Sequence, residues 1–156
     1  MSKNVTARSE FADFRALVPD IETKVRALAS AAAEAGLDKE LLELVKIRAS
    51  QINGCAFCVQ FHINQAEGMG IYAARLHQLA VWREAQVFSP RERVALAFTE
   101  ALTLLPQGVS DDIYAEAVTE FGDRDLAYLT SAIAGINVWN RLGVMYRWTP
   151  PVAKTK

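Results

Sequence analysis

Hydrophobic residues recur along most of this chain at spacings of three and four residues, the repeat of a helix with one apolar face. Between Lys39 and Ile52, for example, one face of the predicted helix collects Leu41, Leu44, Val45 and Ile52. The sequence contains no strong alternating pattern of the kind that predicts a strand, and no low-complexity tract. The pattern therefore predicts an all-α fold.

Capping residues, glycines and prolines divide this pattern into separate helices. Ser89 and Glu92 flank Pro90 in the arrangement of a capping box with proline at the first helical position, which is the clearest helix start in the chain. Gly122 separates the last two helical segments. The predicted helices cover Ile21–Glu34, Lys39–Ile52, a cysteine-containing segment up to Glu67, Ala73–Gln86, Pro90–Leu105, a shorter helix from Ser110 to Phe121, and Asp123–Arg147. We expect six to eight helices in a single domain, residues 1–156.

Composition and charge narrow the class of protein. A chain of 156 residues with 51% hydrophobic and 22% charged residues is typical of one globular domain. The 17 basic and 18 acidic residues leave a net charge of −1, so there is no basic signature for nucleic acid or for an anionic membrane. The polar first residues lack the apolar run of a signal peptide, and no apolar stretch reaches the length of a membrane span. The expected location is the cytoplasm.

Two predicted helices are apolar on more than one side. In the cysteine-containing helix, Phe57 and Phe61 are expected to point away from the face that carries the cysteines, and the last helix is mostly apolar. A helix of this kind is buried on both sides, either within one subunit or against another. A homo-oligomer is therefore one hypothesis for the assembly.

The candidate chemistry lies in one short segment of the chain. Cys55 and Cys58 are the only cysteines, and His62 follows one helical turn later, which gives the motif Cys-x-x-Cys-x-x-x-His. Because there is no further cysteine, the pair does not belong to a larger disulfide framework. A close pair of this kind in a cytosolic protein indicates a redox dithiol or a metal site.

Helical geometry gives the three residues of the motif different relations to one another. At about 100° per residue, Cys55, Cys58 and His62 fall within an arc of roughly 60°. His62 lies four residues after Cys58, near enough for its imidazole to take the Cys58 thiol proton, directly or through one water. Cys55 is within disulfide reach of Cys58. The helix N-terminus that follows Asn53 and Gly54 favours thiolates, whereas burial opposes them.

Two other interpretations of the cysteines remain open. In the first, the cysteines are inert core residues of a structural helical oligomer, since cysteine is among the residue types most often buried. Alternatively they bind zinc, but a structural zinc site takes four ligands and the segment provides three, so that His77 or Glu43 would have to complete it. The chain has no Gly-rich nucleotide fingerprint, and we expect neither a metal nor a cofactor.

Glu43, the cysteine pair and His62 together resemble the alkylhydroperoxidase D family, part of the carboxymuconolactone decarboxylase superfamily. The segment Ile47–His62 is similar to the core of that family, and Ala134–Leu142 is similar to the closing helix of many small members. The resemblance covers most of residues 14–148. It implies an all-helical fold, a homo-oligomer and a thiol-dependent peroxidase activity.

The resemblance implies a role for each residue of the motif. Cys58 matches the peroxidatic cysteine, Cys55 the resolving cysteine, and His62 and Glu43 a proton relay. From the helix pattern alone, Glu43 lies opposite the apolar face of its own helix and would be a solvated surface acid. The chain departs from the best-studied members at Phe57, where they carry a histidine between the two cysteines.

The resemblance also indicates the reaction partners. They are a hydroperoxide and an external dithiol or protein reductant, because this chain has no third cysteine with which to reduce the disulfide. No metal, flavin or nicotinamide is needed for such a cycle. A non-peroxidatic redox adaptor or sensor with the same dithiol is the principal alternative function.

Overall fold

Seven α-helices and two short 3-10 helices make up the computed structural model, which describes residues 5–153. The terminal residues 1–4 and 154–156 of the predicted domain lie outside the described residues. In chain order the helices are α1 (Phe11–Leu17), α2 (Pro19–Glu34), α3 (Lys39–Asn53), α4 (Ala56–Gly68), α5 (Ala73–Gln78), α6 (Pro90–Thr103) and α7 (Asp111–Tyr146). Within residues 5–153 there is no strand, and the prediction of an all-α fold is confirmed.

Capping residues and glycines in the sequence predict several helix ends correctly. Helix α6 begins at the predicted capping box, in which the Ser89 side chain accepts a hydrogen bond from the Glu92 amide and the Glu92 carboxylate accepts one from the Ser89 amide. Helix α7 is interrupted at Gly122, whose φ of 70° and ψ of 164° are not helical. The two helices predicted on either side of Gly122 are therefore present, and they meet directly at this residue.

The helix predicted over Ala73–Gln86 is wrong in its second half. Helix α5 ends at Gln78, and a 3-10 turn over Leu79–Val81 follows it. Arg93 of α6 donates hydrogen bonds to the backbone carbonyls of Trp82, Arg83 and Ala85. Those carbonyls would be occupied within a continuing helix, so the arginine stabilises the irregular turn in its place.

Helix α1 has no counterpart among the predicted helices, because contacts at the opposite end of the chain hold it. The Arg8 amide donates to the carbonyl of Tyr146 at 2.8 Å, and the Thr149 hydroxyl donates to Glu10 Oε1 at 2.7 Å. The Phe14 ring packs on Trp148 with 5.4 Å between ring centroids. The first helix therefore lies against the segment that follows α7.

The core is built around α7, which packs against α2, α3, α4 and α6. One hydrophobic cluster lies among α2, α3, α6 and α7, and a second joins α3, α4 and α6 to the segment around Trp82. A third and smaller cluster contains both cysteines, with Ala49 of α3 and Ile136 of α7. The candidate chemistry is thus embedded where α3, α4 and α7 meet.

Among the helices of residues 5–153, none combines the length and the apolar character that crossing a membrane requires. The homo-oligomer and the cytoplasmic location remain predictions.

Candidate active site

A tight turn between α3 and α4 presents the cysteine pair at a helix N-terminus, as predicted. Gly54 adopts a left-handed conformation with φ of 69° and ends α3. Glycine accommodates this conformation without the steric cost that a side chain brings. Cys55 is the N-cap residue of α4, and its sulfur accepts a hydrogen bond from the Cys58 amide at 3.2 Å.

A buried network of amides fixes this turn against α7. The Asn53 amide group donates to Oδ1 of both Asn137 and Asn140 at 2.9 Å. Asn140 is fully buried, and it donates in turn to the Ser50 hydroxyl at 2.9 Å. Because each buried polar group has a partner, the network holds the end of α3 in one position relative to α7. This role of the asparagines was not predicted, because their partners lie far away in the sequence.

Cys55 and Cys58 are joined by a disulfide bond, with 5.3 Å between their Cα atoms. Both residues are buried, with exposed fractions of 1% and 3%. Gly143 of α7 lies directly against them: a Cβ atom built at Gly143 would be 2.6 Å from Cys55 Sγ and 3.3 Å from Cys58 Sγ. The absence of a side chain at residue 143 therefore makes room for the disulfide.

A glutamate and a histidine form a hydrogen-bonded pair beside the cysteines. Glu43 of α3 is buried, with 5% of its surface exposed, and its Oε2 lies 2.7 Å from His62 Nδ1. Its other oxygen accepts a hydrogen bond from Lys46 Nζ at 2.8 Å. The interpretation of Glu43 as a solvated surface acid is therefore wrong. Sequence reasoning did not single out Lys46, although its position three residues after Glu43 places the two on one helix face.

The electrostatics of this pair determine which histidine nitrogen carries the proton. Burial raises the pKa of the Glu43 carboxyl, but the hydrogen bonds and electrostatic interactions with His62 and Lys46 lower it more, and the net pKa lies below the ordinary value of 4.5. Glu43 is therefore ionised at neutral pH and can only accept, so Nδ1 of His62 is the donor. In the neutral imidazole this leaves Nε2 with a free lone pair, the form that a general base needs.

A cavity of about 180 Å³ lies beside Cys58, and Glu43, Lys46 and His62 also line it. Half of the remaining lining residues are aromatic, namely Phe11, Phe57, Phe61, Trp139 and Trp148, and the others are Arg26, Ala29, Ser30, Gln65 and Ile136. The cavity therefore places an apolar surface next to a sulfur atom and a proton-transfer pair. A ligand with an apolar body and a small polar reactive group fits this combination.

The positions of Phe57 and Phe61 differ from the expectation. Both were predicted to point away from the cysteine face, but both line the cavity together with Cys58. Phe57 is packed between Phe11 and Trp148, with centroid distances of 5.3 and 5.4 Å. Phe11 belongs to α1, and because α1 was not predicted, this contact was not anticipated.

A second buried glutamate, Glu100 of α6, stands apart from the cavity. Its Oε1 accepts hydrogen bonds from Arg48 Nε and Trp82 Nε1, both at 2.8 Å, and Arg83 lies 2.6 Å from Oε2. Burial raises the pKa of Glu100, but these donors lower it by more, so that the pKa lies below its ordinary value. Glu100 joins α3 and α6 to the turn after α5, which gives it a structural role.

The metal interpretation requires at least one further ligand near the cysteines. Among residues 5–153 no group of three or more histidine, cysteine, aspartate or glutamate side chains is arranged to hold a metal ion. In this structure both sulfur atoms are committed to the disulfide, and Glu43 is committed to His62 and Lys46.

Fold and site together define a helical protein with a Cys-x-x-Cys disulfide next to a buried glutamate–histidine pair. The family model described as the carboxymuconolactone decarboxylase family matches residues 19–101. The chain is 36% identical over 112 residues to the uncharacterized protein YdfG of Bacillus subtilis, covering 71% of this chain and 76% of YdfG. The chain therefore belongs to the carboxymuconolactone decarboxylase family.

Solved structures extend the comparison over nearly the whole chain. A protein of unknown function from Agrobacterium tumefaciens, for which a role in antioxidant defence as an AhpD protein has been suggested, superimposes with a TM-score of 0.87 at 33% identity. The match covers 94% of this chain and 99% of that protein. A debrominase in its apo form shares the fold, with a TM-score of 0.77 at 15% identity and coverage of 96% and 94%. The predicted resemblance to the alkylhydroperoxidase D group is confirmed.

Proposed function

We propose that this protein is a thiol-dependent peroxidase that reduces hydroperoxides with the Cys55–Cys58 pair. The observation that carries the proposal is the single cavity into which Cys58, His62 and the buried Glu43 all project. A nucleophilic sulfur, a base in the correct tautomer and a carboxylate that orients the base are the groups that attack on an O–O bond requires. The suggested antioxidant role of the Agrobacterium relative supports the same class of reaction.

The oxidative steps follow from these positions. His62 Nε2 takes the Cys58 thiol proton, and the imidazolium is stabilised by Glu43 through Nδ1. The Cys58 thiolate attacks one oxygen of the hydroperoxide, the O–O bond breaks, and the departing alkoxide takes the proton from His62 and leaves as an alcohol. The product at Cys58 is a sulfenic acid.

The second step uses the neighbouring cysteine. The Cys55 thiol gives up its proton and its sulfur attacks the sulfenic sulfur, the S–O bond breaks, the hydroxyl group takes that proton and leaves as water, and the disulfide seen in the structure forms. Two electrons from an external dithiol then restore both thiols and release an oxidised disulfide of the reductant. The cycle needs no metal and no organic cofactor.

Stopped-flow fluorescence tests the oxidative steps directly. Reduced protein is mixed with an organic hydroperoxide, and the emission of Trp139 and Trp148, which lie around the cysteines, reports disulfide formation. Wild type should oxidise faster than free thiol by about a hundredfold or more. Cys58→Ser should abolish peroxide consumption, whereas Cys55→Ser should consume one equivalent and stop at the sulfenic acid.

A pair of glutamate variants separates the relay from general stability. Glu43→Gln removes the charge that orients and stabilises His62, and should slow Cys58 oxidation by about 10²-fold. Glu100→Gln is the matched control, since Glu100 is also buried and also has a lowered pKa but lies outside the cavity. Oxidation at the same rate in Glu43→Gln and Glu100→Gln would remove Glu43 from the mechanism.

Peroxide consumption, thiol exchange and thiol labelling together distinguish the peroxidase from the two alternative functions. A redox adaptor or sensor would exchange its disulfide with dithiols but would consume peroxide no faster than free thiol. An inert structural pair would react with neither, and its reduced thiols would stay unlabelled until the protein is denatured. Either result would overturn the peroxidase proposal.

A further inference from the structure

The cavity beside Cys58 has its mouth between α2 and α4. Arg26 of α2 and Gln65 of α4 are the exposed members of its lining, whereas the other lining residues are half-buried or buried. Arg26 shares one face of α2 with Ala29 and Ser30, which follow it by three and four residues and also line the cavity. A ligand that enters the cavity therefore passes a guanidinium group and a side-chain amide.

We infer that this mouth binds a carboxylate, and that the substrates are compact organic hydroperoxides with an acidic group. The carboxylate binds Arg26 and Gln65, and the apolar body lies against the aromatic rings inside. The inference deepens the proposed peroxidase function and rests on it for the hydroperoxide group. The carboxylate site itself involves neither sulfur atom, so its occupation can be measured without any redox reaction.

Most of the hydrogen-bond donors of Arg26 are uncommitted. Its side chain is 59% exposed, and its Nη2 donates to Glu22 Oε1 at 2.7 Å. Within residues 5–153 the Arg26 guanidinium makes no other hydrogen bond, which leaves Nε and Nη1 for a ligand. A guanidinium group presents its N–H groups in a planar fork that matches the two oxygens of a carboxylate. Arg26 can therefore hold Glu22 and an incoming carboxylate together.

The charges around the mouth favour an anion. Glu22, which binds Arg26 with one oxygen, accepts a hydrogen bond from Arg15 Nε with the other. Inside the cavity, Lys46 is paired with Glu43. These three basic and two acidic side chains leave one positive charge while the neighbouring histidine is neutral, although the whole chain carries a net charge of −1. An anionic ligand is therefore attracted to the mouth, and a cationic one is repelled.

The acidic group of the ligand belongs at the mouth and not inside. At the mouth a carboxylate keeps part of its hydration, whereas deeper in the cavity it would lie among aromatic rings and beside the Glu43 carboxylate. The cation inside, Lys46, is already bound to Glu43. The carboxylate therefore stays outward, and the apolar body points inward toward Phe57 and Trp148.

The size of the cavity limits the apolar body. The cavity volume is about 180 Å³, and a cavity of about 150 Å³ is sufficient for benzene. One ring with a few further atoms fits, whereas a long acyl chain does not. Hydrogen peroxide would leave the aromatic wall without contacts. The substrate class is therefore an aromatic or similarly compact hydroperoxide that carries a carboxylate.

Three unreactive probes test the carboxylate site without peroxide. Benzoate, benzamide and acetate are titrated into isotope-labelled oxidised protein at low salt, and the indole NMR signals of Trp139 and Trp148, which line the cavity, report binding. Benzoate should bind about fivefold more tightly than benzamide, which has the same ring without the charge. It should bind about tenfold more tightly than acetate, which has the charge without the ring. Either benzamide or acetate binding as tightly as benzoate would overturn the inference.

Two arginine variants separate a direct contact from the general electrostatic field. Arg26→Gln removes the cation that lines the cavity, and Arg15→Gln removes the cation that shares Glu22 with it but does not line the cavity. The two arginine side chains are similarly exposed, at 59% and 54%. Arg26→Gln should weaken benzoate binding about fivefold, to the level of benzamide, whereas Arg15→Gln should weaken it less than about twofold. Equal weakening by both variants would contradict a contact with Arg26.

An acidic and a neutral hydroperoxide connect the site to the reaction. Reduced protein is mixed with cumene hydroperoxide or with its para-carboxylate derivative, at concentrations below saturation. Wild type and Arg15→Gln should react about fivefold faster with the carboxylate, and Arg26→Gln should lose this preference. Equal rates with the two compounds in wild type would refute the substrate class. If neither compound oxidised the protein, the peroxidase proposal and the substrate class would both be wrong, and the probe titrations would still show whether the carboxylate site exists.

Discussion

Gly143→Ala is the most direct perturbation of the disulfide that leaves both cysteines in place. The added Cβ would lie 2.6 Å from Cys55 Sγ, about 0.8 Å short of the 3.4 Å at which ordinary contact begins. It would also lie 3.3 Å from Cys58 Sγ and 3.4 Å from Trp148 Cε3, so that the neighbours on that side are tightly packed as well. Either the sulfur or the backbone of α7 has to move.

The expected change in unfolding free energy is the difference between two opposing effects. Overpacking a well-filled core costs about 1–3 kcal/mol, whereas replacing glycine by alanine within a helix gains about 0.5–1 kcal/mol. The disulfide form should therefore lose about 0.5–2 kcal/mol of unfolding free energy. In the reduced form Cys55 Sγ is no longer tied to Cys58 and can change rotamer, which relieves most of the contact. A penalty confined to the disulfide form raises the reduction potential, by about 10–40 mV for this range.

Two measurements and one control variant test whether the penalty is confined to the disulfide form. Urea unfolding of oxidised and reduced protein gives the penalty in each form, and equilibration with dithiothreitol buffers gives the potential. Gly135→Ala is the control on the same helix, because its Cβ would also meet a close neighbour, Ala29 Cα at 3.3 Å, in a milder contact that lies away from sulfur. It should change both forms alike. If Gly143→Ala also destabilises both forms equally and leaves the potential unchanged, the packing argument is refuted.

Two further predictions concern the groups around the site. Asn140→Ala removes a fully buried side chain that forms hydrogen bonds with Asn53 and Ser50. The substitution should lower the unfolding free energy, measured by urea titration, by about 2–4 kcal/mol. A loss below about 1 kcal/mol would show that the amide network does not stabilise the fold. The pKa of Glu43 is lowered in the folded state, so its contribution to stability is complete above the unfolded value of about 4.5 and is lost as the pH falls through the folded value. The difference in Tm between wild type and Glu43→Gln should therefore shrink as the pH is lowered below about 4.5, and a difference that is constant across that range would show that Glu43 is not ionised in its site.

Helix ends that depend on local signals were predictable from the sequence. The capping box at Ser89 and the interruption at Gly122 involve only neighbouring residues, and both are present in the structure. Helix α1 depends instead on Tyr146, Trp148 and Thr149 at the other end of the chain, and no local pattern encodes those contacts.

The position of Glu43 shows a different limit of pattern reasoning. A helix with one apolar face would expose the opposite face, but α3 is buried at Leu42 and Glu43 as well as on the predicted apolar face. The partner of Glu43 is His62, on the next helix, so periodicity within α3 contains no information about it. The resemblance to a known family indicated the pairing, and the structure shows its geometry.

The location of the aromatic wall has a consequence for how relatives of this protein diverge. The segment that the family model matches, residues 19–101, contains Glu43, Cys58 and His62. The rings of Phe11 and Trp148, which help to close the cavity, come from outside that segment and are brought together where the two ends of the chain meet. The groups to which the proposed function assigns the reaction thus lie inside the matched segment, whereas part of the cavity wall lies outside it. In the proposed peroxidase, the chain ends can therefore alter the cavity wall while Glu43, Cys58 and His62 stay unchanged.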